Sequence, residues 1–182
     1  MKNKLRNFLR KRILPLALGS AMSFGMSAYF PAGDVVSSKP EYASIQFAVV
    51  LGRAKEHRDE LLSYNQYESI KVFCDVSNMP ELMAGCDIGI TSRGRTGYEL
   101  CMLGIPTIAM AQNHREEKHG FVCDENGFTY LGLDPEDEII EAELKKYLAM
   151  PQKSRQRLQN RLLSFDLRNG RNRVMRLINS LF

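Results

Sequence analysis

The sequence predicts an α/β fold, a Rossmann-like three-layer sandwich with a mostly parallel sheet. Two short runs, Asp87–Thr91 and Thr107–Ala111, flank a stretch of helical character and show no alternation of apolar and polar residues. Strands that are buried on both faces have this pattern, and they belong to βαβ units. Strands and helices also alternate on both sides of this unit. One α/β domain is therefore expected over residues 16–182.

The chain before this central unit predicts three strands and two helices. Gly52 ends an apolar run, and Asn78 with Pro80 supplies a cap and an early proline, which are signals of a helix start. The expected strands are Leu16–Phe24, Ile45–Leu51 and Ile70–Asp75, and the expected helices are Arg53–Tyr64 and Pro80–Ala84.

The chain after the central unit predicts one more strand among several helices. Acidic residues at Asp134–Asp137 mark a helix start, because they lie at its positive end. Asn126-Gly127 and Asn169-Gly170 are expected to be breaks. The expected elements are a helical Arg115–Val122, a strand Phe128–Leu131, a helix from Asp134 that buries Ile139, Ile140, Leu144 and Leu148, a helix Pro151–Leu163, and a last helix with Val174, Leu177, Ile178 and Leu181.

The charge of the chain is concentrated at its start. The 182 residues carry a net charge of +4, but residues 1–12 contain six basic side chains and no acid, which leaves 19 basic and 21 acidic side chains in the remainder. A generally basic, nucleic-acid-binding surface is therefore not indicated, and no nucleic acid partner is expected.

The first residues have three alternative interpretations. A basic stretch followed by Ile13–Ala21 resembles a signal peptide, with small residues for cleavage near Ala21 or Ala28. The same residues fit a first strand, or a basic N-terminal arm (residues 1–15) that makes peripheral contact with a membrane. The free-thiol composition favours retention, so a cytoplasmic, membrane-peripheral location is expected.

The cysteines and histidines do not indicate a metal site. Cys74, Cys86, Cys101 and Cys123 are widely separated and form no C-x-x-C pair, and the three histidines lack metal-ligand spacing. Free thiols fit a reducing compartment. Neither a metal nor a cofactor is expected.

A polar turn follows the strand at residues 87–91, and a helix is expected to open at Thr96. The turn reads Ser92-Arg93-Gly94-Arg95-Thr96. The first N–H groups of a helix lack intrahelical acceptors, and the helix dipole adds positive potential there. Gly94 permits close approach, and the hydroxyls of Ser92 and Thr96 add donors. Ligands of parallel sheets bind beyond the carboxyl ends of the strands, so a phosphate or diphosphate is expected here.

Glu99 adds a carboxylate one turn after Thr96, on the same side of the helix. A carboxylate in this position can accept hydrogen bonds from both hydroxyls of a ribose. Alternatively, Thr96 caps the helix and Glu99 completes a capping box, with no ligand involved. The residues alone leave both interpretations open.

Five ordered pieces of sequence resemble the C-terminal, donor-binding half of GT-B nucleotide-sugar enzymes, of the glycosyltransferase family 28 C-terminal type. They are most similar to the branch with the UDP-sugar hydrolase of pseudaminic acid biosynthesis and relatives attached to acylneuraminate cytidylyltransferases. The peptidoglycan N-acetylglucosaminyltransferase is more distantly similar. The resemblance covers about residues 42–182 and implies one half of a GT-B fold. The pieces are Met79–Ala84, Asp87–Ser92, Gly94-Arg95-Thr96 with Glu99-Leu100, Leu103–Thr107 and Ala111–Asn113.

This resemblance implies roles for the residues of the polar turn and its neighbours. Relatives often read Ser-Gly-Gly-Arg where this chain has Arg93, whose side chain either adds a phosphate contact or blocks the close approach that a second glycine allows. The implied roles are the diphosphate for Ser92, Gly94 and Thr96, the ribose for Glu99, and the hydroxyls of the donor sugar for Gln112 with Asn113. Arg93 and Arg95 are further candidates for binding the nucleotide.

The resemblance also implies a second domain that supplies the acceptor site and, in the hydrolase, a catalytic histidine. The chain has no room for that domain, so an acceptor-domain protein is an expected partner. The catalytic residues are not assigned. His114 and His119, which lie near the proposed site, are the candidates, and the alternative is that both are only solvated surface residues.

Two functions follow from these observations. The first is the nucleotide-sugar-binding domain of a glycosyltransferase or UDP-sugar hydrolase in cell-surface glycan biosynthesis of the nonulosonic acid type, with a nucleotide-diphosphate sugar as ligand. The second is a non-catalytic nucleotide-sugar-binding or partner-docking module that completes another chain. An enzyme releases the nucleotide from a donor sugar, whereas a module only binds it.

Overall fold

The fold is built on six parallel strands within the residues that the structure describes. The computed structural model describes residues 15–18, 45–51 and 58–181. The strands are β1 (Pro15–Leu18), β2 (Phe47–Leu51), β3 (Ile70–Cys74), β4 (Ile88–Ser92), β5 (Thr107–Ala111) and β6 (Thr129–Leu133). They form one sheet in the order β3-β2-β1-β4-β5-β6, and every neighbouring pair is parallel.

Helices connect and cover these strands. They are α1 (Arg58–Ser63), α2 (Met79–Ala84), α3 (Arg95–Leu103), α4 (Asp137–Leu148), α5 (Gln152–Leu163) and α6 (Gly170–Asn179). Short 3-10 turns lie at Tyr64–Gln66, Glu116–Lys118 and Asp124–Asn126. The expected Rossmann-like α/β sandwich with a parallel sheet is therefore confirmed.

The strand order decides where a ligand can bind. It is the doubly wound order in which the direction of winding reverses between the two central strands, β1 and β4. A crevice opens at such a reversal, beyond the carboxyl ends of the strands. The turn that follows β4 lies at this edge, next to the residues that follow β5.

Burial on both faces explains the apolar pattern of the central strands. All five residues of β5 are buried, with exposed fractions between 0 and 4%. On one face of the sheet, Ile88 and Ile108 pack with Leu144 and Tyr147 of α4. On the other face, Leu100 of α3 packs with Met83 of α2. The sheet is thus the middle layer of three.

A glycine brings α3 close to β4. A Cβ atom on Gly89 would lie 2.8 Å from Leu100 Cδ1 and 3.1 Å from Thr107 Oγ1. A side chain at this position would push α3 away from the sheet, since the atoms in contact are buried. The absence of a side chain at Gly89 therefore fixes the distance between the helix and its strand.

The segment between β5 and β6 differs from the expectation. The predicted helix Arg115–Val122 is wrong: this stretch contains only the 3-10 turn Glu116–Lys118, followed by irregular chain. The last strand, expected at Phe128–Leu131, is β6 (Thr129–Leu133) and so ends two residues later.

The inward face of α4 also differs in part. Leu144 is buried as expected, but Ile139 is 48% exposed, and Tyr147 is buried instead. The hydroxyl of Tyr147 lies 2.9 Å from Thr129 Oγ1 and donates to the Thr107 carbonyl at 3.4 Å. These two oxygen atoms satisfy the hydrogen-bonding capacity of the Tyr147 hydroxyl, so the ring can be buried. The apolar pattern of the helix did not predict this burial. Burial raises the pKa of Tyr147 to about 12.

Several expectations fall on residues outside the described ranges. The strand predicted at Leu16–Phe24 is described as β1, Pro15–Leu18, and residues 19–24 lie outside. Residues 1–14 of the basic arm and both candidate cleavage positions lie outside as well. The helix predicted at Arg53–Tyr64 is described from Arg58 and ends at Ser63. No helix in the described part of the chain is both long and apolar enough to cross a membrane.

The last helix, α6, carries an apolar stripe that does not enter the core. None of its residues is buried. Its apolar side chains are 43 to 67% exposed: Val174, Met175, Leu177 and Ile178. Leu181, which the sequence predicts in this helix, lies after its end and is 79% exposed.

Candidate functional site

The β4–α3 turn (residues 92–96) presents an uncapped helix N-terminus at the carboxyl edge of the sheet. Gly94 is the N-cap residue of α3, with φ −136° and ψ −158°, and as a glycine it has no side chain with which to bond the first N–H groups of the helix. The N–H of Arg93 donates to the Met110 carbonyl at 2.7 Å, which anchors the turn to β5. The first N–H groups of α3 are therefore available to an anion.

This geometry decides against the capping-box alternative. The helix begins at Arg95, one residue before the expected start, because Gly94 occupies the N-cap position. Thr96 is consequently the second residue of the helix, so it does not cap it, and Glu99 has no capping box to complete. The capping-box interpretation of these two residues is therefore wrong.

Glu99 and Thr96 differ in their surroundings. The side chain of Glu99 is exposed and makes no hydrogen bond or ion pair with another residue in the described ranges. Thr96 is half-buried, whereas Arg95 is exposed. The Glu99 carboxylate is thus free to accept hydrogen bonds one turn away from the uncapped end of α3.

Thr91 adds a polar group that the sequence analysis did not select. It lies one residue before the end of β4 and is 3% exposed, and its Oγ1 atom has no hydrogen-bond partner among the described residues. A buried hydroxyl without a partner costs about 1–3 kcal/mol. Nothing in the sequence distinguishes this threonine from one that bonds to the backbone, so only the fold identifies it.

Gln112 and Asn113 follow β5, as expected, and lie beside the end of β4, since Ser92 and Met110 pair in the sheet. The Oδ1 atom of Asn113 accepts the N–H groups of Arg115 and Glu116, each at 3.1 Å. These bonds close a tight turn that leads directly into the 3-10 turn Glu116–Lys118. The Asn113 side chain therefore has its amide N–H groups left to offer, while Gln112 is half-buried.

Arg93 is held against the β5–β6 segment (residues 112–128). Its Nε donates to the Val122 carbonyl at 2.8 Å, and its Nη1 donates to the Glu117 carbonyl at 2.9 Å. The guanidinium carbon lies 3.9 Å from the centre of the Tyr130 ring. Two of the guanidinium nitrogens and one flat face are thus used within the protein.

Two further contacts fasten the β5–β6 segment to α3. A Cβ atom on Gly97 would lie 2.6 Å from Val122 Cγ2, so the missing side chain admits the buried valine. The ring of Tyr98 stacks on Phe121, with the ring centres 4.6 Å apart and the planes 14° apart. These two aromatic residues could not be recognised from the sequence, because their pairing depends on a loop without a periodic pattern.

The two histidine candidates lie in the same segment but have different surroundings. The side chain of His114 is 86% exposed, and its Nδ1 lies 2.6 Å from Glu117 Oε2. His119 is half-buried and follows the 3-10 turn. Within the described residues, no group of three or more metal-ligating side chains could hold a metal ion.

The comparisons with known proteins bear on the fold. No protein-family model matches the chain. An uncharacterized protein of Methanocaldococcus jannaschii is 38% identical over 100 residues, which are 52% of this chain and 21% of that protein.

Solved structures match nearly the whole chain at low identity. The Anabaena protein HepE, solved in complex with UDP and glucose, superimposes with a TM-score of 0.65 at 14% identity, covering 98% of this chain and 51% of that one. The UDP-GlcNAc 2-epimerase of Neisseria meningitidis, solved bound to UDP-GlcNAc, gives 0.59 at 13% identity and covers 87% and 43%. This chain therefore spans about half of these proteins or less.

These likenesses define the class of fold. The chain has the Rossmann-like architecture of one half of a GT-B fold, the fold of its nucleotide-sugar-binding structural neighbours. At these identities the likeness establishes the architecture, and the function is argued from the site itself.

Proposed function

We propose that the chain is the nucleotide-sugar-binding domain of a glycosyltransferase or UDP-sugar hydrolase that acts in cell-surface glycan biosynthesis of the nonulosonic acid type. The observation that carries this proposal is the N-terminus of α3, where Gly94 offers no capping side chain. One turn further on lies the Glu99 carboxylate, which has no partner among the described residues. An anion and a pair of hydroxyls at this separation along one helix are what a nucleoside diphosphate presents.

The β4–α3 turn would bind the diphosphate. Ser92, Gly94, Arg95 and Thr96 surround the first N–H groups of α3, and the positive end of the helix dipole favours the negative charge. Chemistry at the anomeric carbon makes the diphosphate a leaving group. Donors that are already oriented stabilise the charge that develops on it, without any reorganisation at the moment of reaction.

The ribose and the sugar would lie on either side of this turn. Glu99 accepts hydrogen bonds from the two ribose hydroxyls, and its charge strengthens both bonds. Gln112 and the remaining amide N–H groups of Asn113 lie at the end of the adjacent strand, where they can bind sugar hydroxyls. The UDP and UDP-sugar complexes of the structural neighbours support a ligand of this kind.

The acceptor side of the reaction is assigned to a protein partner that carries an acceptor domain. GT-B proteins bind the donor between two domains, and this chain provides the fold of one of them. The 86% exposure of the His114 side chain supports the alternative of a module that binds without catalysis, because catalytic bases usually work in a site that excludes water.

Calorimetry and thermal unfolding with UDP-GlcNAc, a CMP-sugar, a GDP-sugar and free UDP test the binding proposal. We expect heat of binding and an increased melting temperature with at least one nucleotide sugar. The absence of both effects with all four ligands would contradict the proposal. Release of free nucleotide during incubation with the bound sugar separates an enzyme from a binding module.

A further inference from the structure

The Arg93 side chain connects the two polar parts of the candidate site. It begins in the β4–α3 turn, and both of its protein hydrogen bonds end on carbonyl groups of the β5–β6 segment, those of Glu117 and Val122. The two carbonyls are five residues apart, on either side of His119. One guanidinium therefore fixes the middle of a segment that has little regular structure of its own.

The type of side chain matters for this contact. A guanidinium is flat and presents several N–H groups in a fixed arrangement, so it can bind two carbonyls and at the same time place its face on the Tyr130 ring. A lysine ammonium keeps the charge but has neither the flat face nor the fixed fork. The contact consequently depends on arginine and not on positive charge alone.

The two hydrogen bonds from Arg93 to carbonyl groups support the residues that follow β5. Asn113 closes the turn that leads into Glu116–Lys118, and the Gln112 N–H donates to Glu116 Oε2 at 2.9 Å. Glu117 belongs to that turn, so its carbonyl bond to Arg93 holds the turn against the end of β4. The position of Gln112 and Asn113 relative to the β4–α3 turn thereby depends on Arg93.

We infer that Arg93 is a positioning residue that holds the β5–β6 segment against the β4–α3 turn and thereby sets the affinity for the sugar part of a nucleotide sugar. This inference rests on the proposed function. It gives Arg93 a different role from a direct phosphate contact, because the donors Nε and Nη1 are directed to Val122 and Glu117.

Arg93→Lys separates the two roles by comparing two ligands. If Arg93 positions the segment, the affinity for UDP-GlcNAc falls about tenfold, while the affinity for free UDP, which lacks the sugar, changes less than twofold. Equal losses for both ligands would show a direct phosphate contact and overturn the inference. Unchanged affinity for both ligands would overturn it as well.

Amide hydrogen exchange tests the same inference without any ligand, so it separates a failure of this inference from a failure of the proposed function. Arg93→Ala and Arg93→Lys should both accelerate exchange at the turn amides of residues 116–119, with α5 unchanged. Arg168→Ala is the matched control, because it removes a guanidinium bond to the Met102 carbonyl on α3. The inference would be overturned if the amides of residues 116–119 exchange as slowly in both Arg93 variants as they do in the wild type and in Arg168→Ala.

Discussion

Helices α3 and α6 have similar lengths and similar apolar stripes, but only α3 is part of the core. Gly97, Leu100 and Cys101 of α3 are buried, whereas α6 buries no residue. The difference lies in their neighbours. Helix α3 connects two adjacent parallel strands and must cover the sheet between them, while α6 comes after two other helices, α4 and α5, that already bury residues in the core. An amphipathic pattern thus predicts a helix, and the topology decides what the helix covers.

This comparison also locates the candidate site. The buried face of α3 fixes the helix against β4, so its N-terminus has a defined position at the edge of the sheet. Helix α6 has no such support from the core. Changes to the two helices should therefore differ in size for the same chemical substitution.

The largest difference is expected for a matched pair of leucine substitutions. Leu100→Ala removes a side chain that is 0% exposed and leaves a cavity, so the free energy of unfolding should fall by about 2–5 kcal/mol. Leu177→Ala removes one that is 67% exposed, so the change should be within about 0.5 kcal/mol. Urea denaturation measures both. A loss of 2 kcal/mol or more for Leu177→Ala would show that α6 is packed in solution.

A second difference concerns ligand binding by the exposed face of α3. Glu99→Gln keeps the shape but removes the charge that strengthens two hydrogen bonds, so the affinity for UDP should fall by about 1.5–3 kcal/mol. Glu138→Gln, an exposed position at the start of α4, is the control and should change nothing. Calorimetry with UDP and 2′-deoxy-UDP measures the effect. Equal affinity of the wild type for both nucleotides would show that Glu99 does not bind the 2′-hydroxyl.

A third difference is expected between glycine-to-alanine substitutions near the starts of the two helices. Gly97 is the third residue of α3, and Gly170 is the first residue of α6. Gly97→Ala places a Cβ atom 2.6 Å from Val122 Cγ2 in a buried contact, so stability should fall by about 1–3 kcal/mol. Gly170→Ala meets only Arg173 Nη2 at 3.8 Å, and the reduced entropy of the unfolded chain should leave stability unchanged or raised by about 0.4–1 kcal/mol. Melting temperatures measure both. An unchanged melting temperature of the Gly97→Ala protein would mean that the Val122 side chain can move aside without cost.

A last expected effect is a fall in stability at alkaline pH. Burial raises the pKa of the Cys101 thiol on α3 to about 11, and burial, followed by the nearby charge of Asp87, raises the pKa of Cys86 to about 12. Above pH 9 the unfolded chain loses thiol protons that the folded chain keeps. The contribution of these thiols to the free energy of unfolding should therefore be constant below pH 8 and fall above pH 9. The fall is on the order of 1 kcal/mol for each thiol and each pH unit.

Cys101→Ala tests the origin of this dependence. The substitution removes one of the two thiols, so the slope of stability against pH should become shallower between pH 9 and 11. It also removes the Sγ–H bond to the Leu162 carbonyl, which lowers stability at every pH and leaves the slope unaffected. Urea denaturation at three pH values gives the slope. An unchanged slope in the variant would contradict the assignment.

The elements of the central unit could be predicted from the sequence because local signals agree there with the topology. β4, β5 and α3 were predicted to within one residue at their starts, since unalternating runs, the Ser-Arg-Gly-Arg turn and Gly104 mark their limits. Gly104 has a φ of 69°, the left-handed conformation that ends helices and that glycine adopts easily.

The β5–β6 segment could not be predicted in the same way. Its conformation depends on contacts with distant residues: the Arg93 guanidinium, the Tyr98 ring and the space above Gly97. The sequence predicted a helix at Arg115–Val122, but in the structure only the 3-10 turn Glu116–Lys118 forms, and the residues after it follow these distant contacts. The residues of the candidate site were named from the sequence, and their roles toward a ligand stay predictions.

Ligand-dependent amide exchange tests the central claim most directly, because it locates the bound nucleotide sugar on the chain. The claim is that the N-terminus of α3 binds the diphosphate and that α6 takes no part. At a UDP-GlcNAc concentration that saturates the calorimetric signal, we predict slower exchange in peptides covering residues 92–99 and unchanged exchange in peptides from α6. Protection confined to other regions, with residues 92–99 unaffected, would contradict the account.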